Sequence, residues 1–194
     1  MTKSDGFRKI NTAIFISGTG SNLKSLIKYC SKKNSTYKIN LIISNNRKAK
    51  GLIYAKKYKI DKKVVNYKNR YIAENNILNH LYKKKIKLIC LAGFMKILSN
   101  KFITKFNGKI INIHPSLLPK YKGLNTHIRA INNKEKYSGC TVHYVNSKLD
   151  SGKIIMQKKV KIYKKDTPIK LANRILKEEH ILYPKALKKI FFSL

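Results

Sequence analysis

Acidic side chains are scarce in this sequence: eight Asp and Glu stand against 44 Lys and Arg, a formal net charge of +36. Tryptophan is absent. The three cysteines, Cys30, Cys90 and Cys140, are far apart and form no C-x-x-C pair. That excludes a disulfide framework and a zinc knuckle, and it points to buried thiols in a reducing, cytoplasmic compartment. Four prolines and nine glycines are too few for a disordered chain. No run approaches the roughly 18 apolar residues of a membrane helix. The opening stretch "MTKSDGFRKINTAIFISG" lacks both the apolar length and the small-residue cleavage site of a signal peptide.

What is present is 43% hydrophobic residues in a chain of 194, enough for a sizeable core. One domain, 1–194, is expected, with a βαβ half carrying a glycine turn (1–105) and a half carrying the candidate catalytic residues (106–194). A basic excess of this size would ordinarily suggest nucleic acid. Here the lysines are spread along the whole chain among a surplus of Asn, Ile and Tyr, the residues of A- and T-rich codons. Solvated lysine faces therefore explain the charge better than a dedicated nucleic-acid surface. RNA-binding signatures are also missing.

The first half alternates apolar runs with helical periodicity. "TAIFIS" (12–17), "INLIIS" (39–44) and "LICLAG" (88–93) read as buried strands, with a short "KVV" (63–65) between them. Helical spacing covers 22–32, 48–58 and 69–84. Such alternation predicts an α/β fold with a parallel sheet and helices on both faces. In the second half "KIINI" (109–113), "GCTVHYV" (139–145) and "KIIMQKKVKI" (153–162) are strands joined by loops, so the sheet should become mixed. A final helix over about 167–190 closes the domain, with Asp166 or Thr167 as N-cap and Pro168 at its first position.

Two places invite chemistry. In "ISGTGSNL" (16–23) a strand meets a glycine turn and then a helix. Gly18 and Gly20 let backbone N–H groups approach an anion, and Ser21-Asn22 would cap the helix facing it. The third glycine of a dinucleotide fingerprint is missing, and Ser44-Asn45-Asn46 stands where an NAD ribose needs an acid. A single phosphate suits the turn better than NAD, and a purely structural turn is the alternative. In "INIHPSLLPKYKG" (111–123) an apolar strand ends on Asn112 and His114 before a proline-stiffened loop. Asn112 offers a donor to a developing oxyanion. Asp150, in the "LDSG" turn, would raise the pKa of a neighbouring imidazole and keep it charged. Spacing alone favours a satisfied polar pair, and Asp150 is 36 residues from His114.

Taken together, "ISGTGSN", "LAGFMKILS", "NIHPSLLPKYKG" and "LDSGKIIMQ" resemble the folate-dependent glycinamide ribonucleotide formyltransferases, in the right order, from about Thr12 to Pro184. The resemblance implies a Rossmann-like formyltransferase fold, no metal, and 10-formyltetrahydrofolate as formyl donor to the amine of 5-phosphoribosylglycinamide. It implies Asn112, His114 and Asp150 as catalytic residues and Gly20, Ser21 and Asn22 as the phosphate turn. Glu179 would hold the substrate's amino end, although a helix-surface acid would read the same way. Met95, Lys96, Ile97 and Leu98, with Arg70 and Asn112, would contact the folate. Lys96 replaces a usual arginine and Asn125 a frequent histidine. His127 and His143 read as structural or supporting. The partners implied are these small molecules, with no specific nucleic acid and no membrane, in a monomer or homodimer. Formyltetrahydrofolate deformylase and methionyl-tRNA formyltransferase share the Asn-His-Asp set; each normally carries a further domain not expected here. A basic nucleic-acid-binding protein on the same fold is the alternative from another class.

Overall fold

The computed structural model of the protein describes residues 9–191. Seven strands form one sheet in the order β3-β2-β1-β4-β5-β6-β7. The strands are β1 (Ile10–Ile16), β2 (Tyr37–Ser44), β3 (Asp61–Val64), β4 (Leu88–Leu91), β5 (Lys109–His114), β6 (Tyr137–Tyr144) and β7 (Ile154–Lys161). The first five pair in parallel. β6 and β7 run antiparallel to their neighbours, so the sheet becomes mixed in its C-terminal half, as expected. The helices are α1 (Ser21–Cys30), α2 (Leu52–Lys57), α3 (Arg70–Lys83), α4 (Asn100–Lys105), α5 (Thr126–Asn132) and α6 (Pro168–Phe191).

Strand alternation divides the core in two. In β1, Ile14 and Ile16 face one apolar cluster with Leu23, Leu26 and Ile27 of α1 and Leu171, Ile175 and Leu187 of α6. Ala13 and Phe15 face the other, with Ile77 and Leu81 of α3 and Phe102 of α4. Both faces are therefore covered, which is why the central strand β4, Leu88–Leu91, is apolar and buried throughout. Thr167 caps α6, its Oγ1 accepting from the N–H of Lys170 at 3.2 Å, and Pro168 takes the first helical position. Asp166 pairs with Arg174 instead. Two short helices lie where the sequence pattern predicts no element. α4 starts at Ser99, whose hydroxyl accepts from Phe102 N–H at 3.1 Å; α5 lies in the connection from β5 to β6. Among the described residues no helix is long and apolar enough to cross a membrane.

The parallel strands β1, β4 and β5 all end on one edge, where ligands bind in open α/β sheets. The turn after β1, the segment after β4 and the loop after β5 lie together there.

Candidate active site

The turn after β1 is built by close backbone contact. Gly20 has φ +74°, and a Cβ on it would lie 2.7 Å from Gly51 Cα. Gly51 N–H donates to the Gly18 carbonyl at 3.0 Å. Two facing glycines thus press the turn against the connection from β2 to α2. Gly20 is itself the N-cap of α1, without a side-chain cap, and Ser21 and Asn22 are the first helical residues. The expected Ser21-Asn22 cap is therefore corrected: a left-handed glycine makes the entry, and backbone N–H groups alone face the turn. Asn22 turns inward instead. Its Nδ2 donates to Glu179 Oε2 at 2.6 Å, and its Oδ1 is buried without a partner among the described residues. Glu179 is 7% exposed, so it is not a helix-surface acid. Burial raises its carboxyl pKa, with the Asn22 bond opposing. Gly20, Ser21, Asn22 and Glu179 come together as one group.

Asn112 and His114 point to the same side of β5 as period-2 neighbours. The sheet register sets Asn112 opposite His143 and His114 opposite Thr141. Asp150 then arrives from the β6–β7 turn. Its Oδ2 lies 3.4 Å from His114 Nδ1, both side chains being almost fully buried, and its Oδ1 lies 3.6 Å from His143 Nε2. Asp150 Oδ2 also accepts the Gly123 N–H at 2.9 Å. The contacts from both histidines and Gly123 hold its carboxyl below the usual carboxylate range, against the opposing effect of burial. Asp150 adopts φ +45°, a conformation uncommon for non-glycine residues that Asp tolerates better than most.

His114 departs from expectation in one respect. Burial lowers its pKa, and this outweighs the upward pull of the Tyr121 carbonyl and Asp150. The loss of water around so enclosed a ring is the largest effect, and the nearby charges of His143 and Arg129 add to it. The ring remains suited to gaining charge, because both nitrogens face oxygen acceptors: Nδ1 faces Asp150, and Nε2 faces the Tyr121 carbonyl at 2.9 Å.

His143 had no catalytic signal of its own, yet the structure gives it a definite job. Its Nδ1 faces the Tyr144 carbonyl at 2.8 Å, and its Nε2 faces Asn112 Nδ2 at 3.3 Å. A carbonyl only accepts, so Nδ1 donates to it, while Nε2 lies between Asn112 Nδ2 and Asp150 Oδ1. Asn112 Nδ2 has no other hydrogen-bond partner among the described residues. Thr141 pins the following loop: its hydroxyl donates to Ser116 O and accepts from Leu118 N–H and Gln157 Nε2. The "TVH" alternation inside an apolar strand was the available signal, matched across the sheet to "NIH". His127 lies in the same region. Burial lowers its pKa, nearby His114 adds to the effect, and its Nδ1 has no partner among the described residues.

The segment after β4 is held at both ends. Met95 N–H donates to Ser17 Oγ at 2.7 Å, and Ser99 N–H donates to the buried Glu74 carboxylate at 2.8 Å. Between them the Met95 and Ile97 side chains are 66% and 63% exposed, whereas Leu98 is buried. Lys96, Ile97 and Leu98 N–H groups meet no backbone acceptor among the described residues. Phe94 packs edge-on against Phe15 and Tyr67. The charge of Arg70 lies close enough to Tyr67 to oppose the upward shift that burial gives its hydroxyl. Arg70 itself is exposed at the start of α3.

The formyl transferase family matches residues 10–187. The chain belongs to that family. It is 42% identical over 179 residues to the phosphoribosylglycinamide formyltransferase of Haemophilus influenzae, covering 91% of this chain and 84% of that protein. It is 42% identical over 186 residues to the human trifunctional purine biosynthetic protein adenosine-3, but spans only 18% of that protein's length. Among solved structures it resembles phosphoribosylglycinamide formyltransferase from Anaplasma phagocytophilum, with TM-score 0.89 and 45% identity over 95% of this chain and 87% of that one. The formyl transferase fold therefore extends over nearly the whole described chain.

Proposed function

We propose that this formyl transferase moves the formyl group of 10-formyltetrahydrofolate to the amine of 5-phosphoribosylglycinamide, a step of de novo purine (IMP) biosynthesis. The observation that carries the reading is the meeting of Asn112, His114 and Asp150, from two separated segments, at the sheet edge that also holds a glycine turn suited to one phosphate. Gly20, Ser21 and Asn22 would bind that phosphate through backbone N–H groups. The exposed Met95 and Ile97, and the open backbone donors from Lys96 to Leu98, fit a flat heterocycle with hydrogen-bonding edges, as a pterin has. Arg70 would meet the acidic end of the folate. Three buried free thiols support a reducing, cytoplasmic setting.

In this reading the neutral amine attacks the formyl carbon. The free N–H of Asn112 and protonated His114 stabilise the tetrahedral oxyanion, each such donor being worth about 2.7–4 kcal/mol. Asp150 supports the imidazolium and, through water, passes the amine's proton toward the departing folate nitrogen. His143 would hold the Asn112 amide and the Asp150 carboxylate beside one another. Glu179, tied to Asn22, would hold the substrate's amino end.

Steady-state formyl transfer with glycinamide ribonucleotide tests this. Asn112→Ala and His114→Ala should each lower kcat by about 10²-fold or more with KM little changed. Losses confined to KM would overturn the assignment. Hydrolysis of 10-formyltetrahydrofolate to formate and tetrahydrofolate without the amine substrate would point to a deformylase, and inert protein with tight, salt-sensitive RNA binding to a nucleic-acid-binding role.

A further inference from the structure

Ser17 is the last residue before the glycine turn and was assigned no role, yet all of its polar groups are engaged. Its N–H donates to the Gly93 carbonyl at 3.0 Å. Its carbonyl accepts from Asn46 Nδ2 at 3.1 Å. Its hydroxyl donates to Asn45 Oδ1 at 2.5 Å and accepts the Met95 N–H at 2.7 Å. One residue thus joins the ends of three adjacent strands, β2, β1 and β4. On one side of it lies the turn suited to phosphate. On the other begins the segment with exposed Met95 and Ile97.

These bonds divide the work. The turn has its own support, through Gly51 N–H to Gly18 O and the packing of Gly20 on Gly51, none of which uses the Ser17 hydroxyl. The Met95 N–H, by contrast, has Ser17 Oγ as its acceptor. A donor already engaged there is not available to a ligand, so its effect on binding must be positional. We infer that the Ser17 hydroxyl is a positioning residue for the folate side of the site: it sets the segment 95–98 in register with the phosphate turn, while Asn45 fixes the direction of the hydroxyl proton.

This rests on the proposed formyl transfer, and the experiment separates the two. In Ser17→Ala, KM for 10-formyltetrahydrofolate should rise about 3- to 10-fold, the worth of one hydrogen bond. Inorganic phosphate, used as a competitive probe of the turn, should bind as it does to the wild type. Asn45→Ala leaves the Ser17 hydroxyl without its acceptor and should shift the folate KM the same way by less; it keeps the test open should the first variant fold poorly. A merely structural weakening would lower thermal stability and reduce affinity on both sides together, and that result would overturn the inference. So would an unchanged folate KM in both variants beside an active wild type. A wild type that transfers no formyl group overturns the functional reading instead; tetrahydrofolate binding, unchanged between wild type and Ser17→Ala, would then overturn this inference separately.

Discussion

The sharpest contrast in the site is between Asp150 and His114, two buried groups whose pKa values are both lowered, with opposite effects on their charge. Asp150 is held ionised by Gly123 and the two histidines, whereas burial draws His114 toward its neutral form. If turnover needs the imidazolium, activity is present below the His114 pKa and falls as pH rises through it. Asp150 raises that pKa. Asp150→Asn removes the raising charge, so the falling limb should move to lower pH while kcat drops by about 10²–10⁴-fold, the usual share of proton transfer. A pH profile of kcat/KM for the free enzyme checks this, and an unmoved falling limb would remove Asp150 from the proton path. Asn112, His114 and Asp150 stood out as polar residues at a strand end and in a turn, but only the four motifs of the family resemblance joined them, because spacing alone suited a satisfied polar pair. The depth of His114 was not legible, because desolvation depends on what the rest of the chain packs over it. The same holds for Glu179, whose burial against Asn22 joins residues 157 positions apart.

At the scale of elements, the turn between β6 and β7 does more than connect. A Cβ on Gly152 would lie 1.8 Å from the Tyr144 carbonyl oxygen and 2.7 Å from its carbon. That carbonyl also faces His143 Nδ1. The turn bearing Asp150 is therefore seated on the strand that orients Asn112, and only glycine permits the approach. Gly152→Ala forces backbone away from backbone. It should cost about 1–3 kcal/mol of stability and, by displacing Asp150, about 10²-fold in kcat, measured by chemical denaturation and formyl transfer. A variant with near-normal kcat would show that the seating does not matter. The long elements were readable because their apolar runs are buried on both faces: β1 and β4 follow "TAIFIS" and "LICLAG" to within two residues. α2 came out shorter than its apolar spacing suggested, beginning only after the Gly51 contact. α4 and α5 were missed, since each buries only one or two side chains, Phe102 in one and Thr126 with Ala130 in the other. Two turns with so little burial leave no period to read. The change from expected cap to observed glycine entry at α1 has a similar cause, because Gly51 is 31 residues from the Gly20 it contacts.

For the molecule as a whole, the net charge of +36 is a physical load whatever its origin. Most described carboxylates are already engaged: Asp61 with Lys84, Glu135 with Lys120, Asp166 with Arg174, Asp150 within the site, and Glu74 and Glu179 in buried hydrogen bonds. The remaining cations repel one another across a surface with little negative charge to offset them. Raising sodium chloride from 0.01 to 0.1 M shortens the screening distance from about 30 to about 10 Å. The folded state should gain from that, with Tm rising by about 2–4 °C for each kcal/mol of relieved repulsion. Chloride is the right salt, because sulfate could stabilise by occupying the phosphate turn. The same field should draw in substrates bearing phosphate and carboxylate groups, so kcat/KM for glycinamide ribonucleotide should fall over the range in which Tm rises. Opposite trends from one titration would mark the charge as steering anionic substrates at a cost in stability. A flat Tm would mean that the lysines are too far apart, or too well hydrated, to repel. A flat kcat/KM would mean that they take no part in capture.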